Sequence, residues 1–444
     1  MSQKLELFTE HNYHFNPASV VTCKITVVGE LKKDKFLASL KELKRIHPFL
    51  SCTITQDETG KLYYDYTNKD CNLQTEFIPK EEEDAWIQKV EDLMKTPFNL
   101  RTCTPIKFVL LYDVDHFDIV LFGHHIIGDG LSYTYLLNDL LEIYCGNNKS
   151  LPIRTPRIIQ SMNDFPGKRG IPADQVKVIT RLKETWETNR KHYPFEAYEA
   201  LYNGYHQHAE SSLIVGTIEK ETFQPFIHQC KQNGVKINTA LLMAFLYGMD
   251  TEQQQVSIAV NNRPLFPFVP KRSMGNYSSM ITHDLCYDKS RSFWENAKIA
   301  DIAIASILKN PEKRLHLLKL FATFNSSAFD AIFFNGDGIL DLQDLKALSG
   351  FMMPNTSLDT FNTSNLGAVP IRTVYEDYQI KDFAFLTSPA TAYNRNIGIA
   401  TMDNACTISI LYKIQSVEAE EIQQLLNNTI DFLSTLTSKE EALC

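Results

Sequence analysis

Two adjacent histidines, His124 and His125, stand before Asp129 and Gly130 in the run FGHHIIGDGLS. An imidazole titrates close to neutral pH, so it can take a proton from an alcohol or an amine and return it to a leaving group. A carboxylate four residues on can orient the loop, and a glycine lets the chain turn close to a bound ligand. The spacing H-H-x-x-x-D-G, which arises by chance in about one such chain in several hundred, therefore predicts proton-transfer chemistry.

The elements around this run can hold its side chains in place. The apolar segment FDIVLF predicts a strand that ends at the two histidines, and a helix is predicted to begin just after Gly130. A strand-to-loop position fixes side chains at the edge of a cleft, where a base can reach substrate. The alternative is structural: the histidines only end the strand, and Asp129 caps the helix. The full spacing, between a strand and a helix, favours the chemical interpretation.

Strand and helix patterns alternate through both halves of the chain. Strands are predicted at 20–28, 53–56, 62–66, 106–112, 117–122, 212–218, 256–260, 383–386, 397–401 and 406–412, and helices at 34–45, 81–94, 132–144, 174–192, 221–234, 237–247 and 419–436. This order predicts an α/β fold with mixed sheets of the α+β kind, in two lobes of residues 1–200 and 201–444. The first lobe carries the histidine run, and the segment 146–172, which contains proline and glycine, connects the lobes.

The composition is that of an ordinary globular protein, and it limits the classes of partner that the protein is expected to bind. Lys+Arg 44 against Asp+Glu 53 leaves a formal net charge of −9, which gives no general attraction for nucleic acid. The nine cysteines are scattered and never form a C-x-x-C pair, which is typical of thiols in a reducing compartment. The N-terminal segment lacks the apolar core of a signal peptide, and no apolar stretch is long enough to cross a bilayer. We therefore predict a cytoplasmic protein without a membrane span.

Two further clusters contain residue types that bind metals. The run FFNGDGILDLQD imitates part of a calcium-binding loop, but Phe333 stands where the first carboxylate is needed. His206, His208 and Glu210 in YHQHAE have no second ligand cluster, so linker residues are the simpler interpretation. We therefore predict no bound metal.

The histidine run and several other segments together resemble the chloramphenicol-acetyltransferase-like superfamily. This superfamily of acyl-thioester-dependent acyltransferases includes nonribosomal-peptide condensation domains, alcohol O-acetyltransferases and polyketide-associated acyltransferases. The similar segments are LASLKELKRIHPFLSCTI with Pro48, AVNNRPLFP with Asn261 and Arg263, MGNYSS with Gly275 and Asn276, TSNLGAVPI with Asn365 and Gly367, and the closing strand and helix. The plant branch carries D-F-G-W-G near its end, and this chain has only Asp382 and Phe383 there, which disfavours that branch.

The resemblance implies two similar lobes with an active-site tunnel between them. It implies that His125 is the general base, with His124 and Gly130 completing the motif, and that Asp129 is mainly structural and pairs with Arg263. Asn276 and Asn365 are predicted to lie near substrate, with an ordinary turn role as the alternative. The acyl donor would be acyl-CoA or a phosphopantetheine-linked thioester, used as a substrate, with no permanently bound cofactor.

The predicted function is transfer of an acyl group from a thioester to a hydroxyl or an amine of a small-molecule acceptor. One alternative is a stand-alone condensation or epimerisation domain that acts on substrates held by an acyl carrier protein. An alternative of another class is a catalytically silent binding module that keeps the fold. The two enzymatic interpretations differ in the donor they accept, and the silent module differs from both in having no activity that depends on His125.

Overall fold

The structure, a computed structural model, describes residues 4–66, 73–148, 150–167, 173–189, 193–336, 338–340, 345–347, 350, 361–388 and 393–441. The strands of this part, in chain order, are β1 Lys4–Glu6, β2 Val20–Val28, β3 Thr53–Gln56, β4 Leu62–Asp65, β5 Gln74–Pro79, β6 Ile106–Tyr112, β7 His116–His124, β8 Ser211–Ile218, β9 Gln253–Asn261, β10 Ser278–Cys286, β11 Phe361–Ala368, β12 Gln379–Thr387, β13 Arg395–Met402 and β14 Ala405–Lys413. The α-helices are α1 Lys33–Ile46, α2 Ala85–Met94, α3 Gly130–Tyr144, α4 Ala173–Asn189, α5 Phe195–His208, α6 Lys220–Asn233, α7 Ile237–Gly248, α8 Phe293–Leu308, α9 Pro311–Phe321, α10 Ser326–Gly336 and α11 Ala419–Glu441.

The described strands form two large mixed sheets and one small antiparallel sheet. The first large sheet has the order β12-β2-β7-β6-β5, in which only the β5–β6 pair is parallel. The second has the order β10-β9-β11-β13-β14-β8, in which β11 runs parallel to both of its neighbours. The small sheet has the order β1-β4-β3. The predicted α/β class with mixed sheets is confirmed.

Apolar helix faces cover the two large sheets. Helices α1 and α3 pack together against the first sheet, and α2 packs on β7. Helices α6, α7 and α11 cover the second sheet. Helix α7 lies between α8 and α11, and its residues are apolar on nearly every face, as expected for a helix buried all round. Strand β7 is central and buried along eight of its nine residues, so its continuous apolar run fits a strand covered on both faces.

Strand β12 joins the first sheet although it lies late in the chain. It pairs antiparallel with β2, and the carboxylate of Asp382 lies 2.9 Å from Nζ of Lys24. Lys24 and Lys80 also face the buried carboxylate of Asp118 on β7, at 3.4 and 2.8 Å. The division into lobes of residues 1–200 and 201–444 stays a prediction. The sheet order shows that β12, from the second half of the chain, belongs to the sheet formed by strands of the first half.

Several described elements have no counterpart in the predicted pattern. They are β1, β5, β10, β11, α5 and the helices α8 to α10. Strand β10, SSMITHDLC, is a polar edge strand, so it lacks the apolar alternation of a half-buried strand. Helix α8 exposes Ile299 and Ile302 to solvent at 50% and 73%, which blurs its apolar stripe.

Within the described ranges, no single helix combines the length and apolarity needed to cross a membrane. Helices α9 and α10 meet the length and composition criterion only as a pair, across a bend of 97°.

The two large sheets meet where β12 crosses β13. A Cβ atom added at Gly398 of β13 would collide with the backbone carbonyl of Phe385 on β12. We expect Gly398→Ala to lower the free energy of unfolding by about 1–3 kcal/mol, because backbone must shift to admit the methyl group. The matched control is Gly204→Ala in α5, where the added Cβ meets no atom within 4 Å and helix propensity predicts a gain of about 0.5–1 kcal/mol. Urea unfolding of both variants checks this, and a wild-type midpoint for Gly398→Ala would contradict the close packing.

Candidate active site

The backbone of the histidine loop is held at several points. His124 is the last residue of β7, its N–H donates to the carbonyl of Pro105, and its carbonyl accepts from the Tyr133 hydroxyl at 2.6 Å. The N–H of His125 donates to the carbonyl of Ser19 at 2.7 Å. The Tyr64 hydroxyl donates to the carbonyl of Ile126. The loop is therefore rigid before any substrate arrives.

His124 is fully buried. Its Nδ1 accepts a hydrogen bond from the N–H of Ile126 at 3.2 Å, which places the proton of the neutral ring on Nε2. Burial holds its pKa well below the usual value. Phe98 covers the ring edge-on, with the centroids 5.6 Å apart. A neutral, enclosed imidazole with an occupied Nδ1 supports the loop rather than exchanging protons with a substrate.

His125 is only half buried and lies at the junction of the two halves of the chain. The Nδ2 atom of Asn276 is 2.9 Å from Nδ1 of His125 and 3.2 Å from its carbonyl oxygen. The hydroxyl of Ser278 donates to Oδ1 of Asn276 at 2.8 Å, which turns the amide nitrogen toward His125. Among the described residues, Nε2 of His125 makes no hydrogen bond. In the neutral tautomer whose Nδ1–H donates to the residue's own carbonyl oxygen, Nε2 keeps its lone pair and is the nitrogen that can take a substrate proton. In that tautomer the Asn276 amide donates to the same carbonyl oxygen.

The pKa of His125 is lowered from its ordinary value. Burial lowers it, while the charge of Asp129 and a hydrogen bond to the residue's own backbone oppose the effect. The ring is therefore neutral at pH 7 and can act as a base. Tyr13 stacks on the ring, with centroids 4.7 Å apart and planes 11° apart, and so limits rotation of the imidazole.

Asp129 carries the most fully satisfied carboxylate of the site. Its Oδ1 accepts from the N–H of Ser132 at 3.0 Å, which caps α3, and from Nη2 of Arg263 at 2.8 Å. Its Oδ2 accepts from Nη1 of Arg263 at 2.7 Å and from the N–H of Tyr277 at 3.1 Å. Burial raises the pKa of Asp129, but the charge and hydrogen bonds of Arg263 outweigh it, so the pKa is lowered. This carboxylate both caps the helix and pairs with Arg263, and it stays ionised.

Ser132 and Gly275 extend this contact between the two halves. Nη2 of Arg263 also donates to Oγ of Ser132 at 2.6 Å and to the carbonyl of Gly275 at 3.1 Å. The Ser132 hydroxyl in turn lies 2.7 Å from the carbonyl of Gly275. The guanidinium lies 4.7 Å from the centroid of the Tyr277 ring. Arg263 is thus fixed in a planar network, which a lysine cannot reproduce.

Of the remaining predicted site residues, Gly130 lies beside the histidine loop and Asn365 contacts neither histidine. Gly130 begins α3, where an added Cβ would meet the Phe385 ring of β12 and Leu366 of β11, so glycine permits the close approach of these strands. Asn365 lies on β11, and its amide bonds go to Asn238 at 3.0 Å and to the N–H of Gly367 at 2.7 Å rather than to the histidines. Asn276 meets His125 directly, whereas Asn365 does not.

Sequence reasoning missed Tyr13, Ser132 and Tyr277. Ser132 follows Asp129 by three residues, so the D-x-x-S spacing of a helix cap offered a signal for it. Tyr13 and Tyr277 have no signal of this kind, because they reach the site from distant parts of the chain.

The described residues contain one group with metal-ligand geometry, in the turn between β6 and β7. Asp113, Asp115 and His116 form it, but both ring nitrogens of His116 already face carboxylates at 2.9 Å. It lies at the opposite end of β7 from His124, roughly 25 Å away at the rise of a strand. Nδ1 of His206 donates to the carbonyl of Met94 at 3.0 Å. In the calcium-like run, residues 337 and 341–344 lie outside the described residues.

One comparison with known proteins gives a family match, and another gives solved structures of the same fold. A family model for the condensation domain matches residues 1–275. Comparison with curated proteins finds no significant match. Similar solved structures include the trichothecene 15-O-acetyltransferase TRI3 from Fusarium sporotrichioides, with 11% identity, TM-score 0.66 and coverage of 97% of this chain and 95% of that one. The polyketide synthase associated protein 5 from Mycobacterium tuberculosis has 12% identity, TM-score 0.62 and coverage of 98% of both chains. The first condensation domain of the calcium-dependent antibiotic (CDA) synthetase has 14% identity, TM-score 0.64 and coverage of 98% and 95%.

The ion pair between Asp129 and Arg263 predicts a large effect on stability. We expect Arg263→Ala to lower the free energy of unfolding by about 3–5 kcal/mol, because it leaves a buried carboxylate without its counter-charge. Arg291→Ala is the matched control, since its ion pair with Asp288 at 3.1 Å is about half exposed and worth little. Urea unfolding of the two variants measures the contrast. Equal effects would show that the buried pair does not hold the two halves together.

A buried glutamate close to the site predicts a pH effect on stability. Glu10 is 1% exposed, no described lysine or arginine pairs with it, and its Oε1 has no hydrogen-bond partner in the described part of the chain. Burial raises its pKa from 4.5 to about 7. Between these values the unfolded chain binds fewer protons than the folded one, so this residue's contribution to stability falls as the pH rises.

We therefore expect the free energy of unfolding of Glu10→Gln, measured relative to that of the wild type, to rise by about 2–3 kcal/mol from pH 5 to pH 8. Urea unfolding at the two pH values measures this gap, with the exposed Glu58→Gln as the control that should show none. A gap that stays constant with pH would mean that Glu10 is ionised in the folded protein.

Proposed function

Because this chain belongs to the condensation-domain family, we propose that it is an acyltransferase that moves an acyl group from a thioester to a hydroxyl or an amine. The observation that carries the proposal is the state of His125: a neutral imidazole, stacked on Tyr13, whose Nε2 is left for a substrate proton. Such a base raises the nucleophilicity of an alcohol or amine at neutral pH.

The proposed reaction needs one base and no covalent enzyme intermediate. Nε2 of His125 takes the proton of the acceptor while its oxygen or nitrogen bonds to the thioester carbonyl carbon. The tetrahedral intermediate collapses, the carbon–sulfur bond breaks, and the thiolate takes the proton back from the imidazolium. Asp129 does not exchange this proton, because its oxygens are occupied, but its charge favours the imidazolium that forms.

The donor in this proposal is a thioester substrate, either acyl-CoA or an acyl group on a carrier protein. Among the similar structures, one is an acetyltransferase and another is a condensation domain of an antibiotic synthetase. The second candidate is therefore a condensation or epimerisation type of reaction on carrier-bound substrates. The two candidates share the role of His125 and differ in whether free acyl-CoA supports turnover.

The test is release of free thiol from short and long acyl-CoAs, with a mixed pool of alcohols and amines as acceptors. We expect His125→Ala to lower the rate by about two to four orders of magnitude, because the acceptor loses its base. His228→Ala, an exposed histidine on α6, is the control and should keep the wild-type rate. Because the pKa of His125 is lowered from 6.5, the acid limb of the wild-type profile should lie below pH 6.5.

If acyl-CoAs give no turnover, the same comparison with acyl carrier proteins as donors tests the second candidate. Activity that is equal in wild type and His125→Ala with either donor would contradict a general-base role. Absence of turnover in the wild type with either donor would favour a silent binding module.

A further inference from the structure

A cavity of about 90 Å³ lies beside the histidine pair, open to solvent on one side. Three segments line it: the residues after Tyr13, the loop 97–101 between α2 and β6, and one face of α5. Two contacts join it to the candidate active site. Tyr13, which stacks on His125, directly precedes the lining residue His14, and the lining residue Phe98 lies edge-on to His124.

The rings of Phe15, Phe98, Phe195 and Tyr202 form one part of the cavity wall, and Asn99, Asn203 and two charged residues are among the other lining residues. Phe15 lies 5.1 Å from Phe195 and 5.6 Å from Tyr202 between ring centroids, and the planes are tilted by 50° and 48°. Phe98 completes this wall. Tilted aromatic walls favour a flat ring that makes offset and edge-to-face contacts. An apolar cavity of about 150 Å³ holds a whole benzene molecule, so this smaller, open cavity suits one ring that extends through the mouth.

Two charged residues, Arg101 and Glu199, line the cavity. The guanidinium of Arg101 lies 3.9 Å from the centroid of the Phe195 ring, which holds its plane beside the cavity. Its ion pair with Glu199, at 3.4 Å, is about half exposed and weak. Burial lowers the pKa of His14 to about 3, and the charge of Arg101 adds to this effect, while no acidic group opposes it. At His14 the charge of Arg101 is therefore felt more strongly than that of Glu199.

His14 supplies the polar group inside the cavity. It is neutral, 4% exposed, and its ring nitrogens make no hydrogen bond to any residue that the structure describes. A neutral imidazole offers one donor and one acceptor. Aromatic walls, one fixed guanidinium and one uncommitted imidazole together match a ring that carries an acidic group.

We propose that this cavity binds a single-ring aryl carboxylate, with the ring against Phe15, Phe98 and Tyr202 and the carboxylate at Arg101. The inference rests on the proposed function in one respect: the aryl carboxylate is the end of the acyl acceptor that is remote from the reacting hydroxyl or amine. The planar guanidinium binds the carboxylate through two parallel hydrogen bonds, which displace the weak contact with Glu199.

Binding of phenylacetate, measured by calorimetry and by ligand-observed NMR, tests the proposal without any need for turnover. We expect phenylacetate to bind more tightly than phenylacetamide, which lacks the charge, and than cyclohexylacetate, which lacks the aromatic ring. Phenylacetate that fails to bind at millimolar concentrations, or that binds no better than both analogues, would overturn the proposal.

Variants locate the site. We expect Arg101→Gln to weaken phenylacetate binding at least tenfold, Phe195→Leu to weaken it severalfold, and Glu199→Gln to strengthen it because a competing carboxylate is removed. Arg372→Gln is the matched control, since its guanidinium also lies over an aromatic ring, Tyr375 at 4.6 Å, and should leave binding unchanged. Circular dichroism checks that each variant is folded. Unchanged binding in folded Arg101→Gln, or weaker binding in Glu199→Gln, would overturn the placement of the carboxylate.

Binding and acyl-transfer measurements on the same protein test the proposed site and the proposed reaction separately. If both hold, phenylacetate inhibits acyl transfer by competing with the acceptor, and His125→Ala keeps phenylacetate binding while it loses transfer. Phenylacetate binding in a protein that transfers no acyl group would leave the site standing and refute the proposed function. Transfer that depends on His125 in a protein that does not bind phenylacetate would refute the site alone.

Discussion

A buried carboxylate must keep every oxygen satisfied, and Asp129 meets this requirement only when the two halves of the chain are in contact. Its own helix supplies one N–H, while Arg263 and the backbone of Tyr277 supply the other donors from the second half. An unpaired charge at this depth costs several kcal/mol. The position of the histidine loop relative to the second half is therefore set by electrostatics as well as by apolar packing.

This constraint gives the residues of the H-H-x-x-x-D-G run different roles. Asp129 is saturated with donors, so it orients the loop and favours a cation on His125 without exchanging a proton. His124 is enclosed and neutral, and it supports the strand end. His125 is the member with an open nitrogen, and the second half holds it through Asn276, which stands next to the residues that contact Asp129. One junction thus fixes both the ion pair and the base.

The short segment from Glu10 to Phe15 links several features of this region. Tyr13 stacks on the base, His14 and Phe15 line the cavity, and Glu10 is buried with no described lysine or arginine paired to it. This one segment therefore contacts both the base and the cavity. Such a segment tolerates an unfavourable buried carboxyl only because the packing around it is stabilised elsewhere.

The sequence alone determined the mixed α/β class, most of the buried strands and the residues of the H-H-x-x-x-D-G run, because period, spacing and side-chain chemistry are local properties. The pairing of Asp129 with Arg263 could be named in advance only through a family resemblance, since the two residues are 134 positions apart. Tertiary structure decided that Tyr13 stacks on His125, that Asn276 rather than Asn365 meets it, that β12 enters the first sheet, and that rings from three segments enclose one cavity. Those arrangements depend on contacts between distant parts of the chain, which no local pattern of residues encodes.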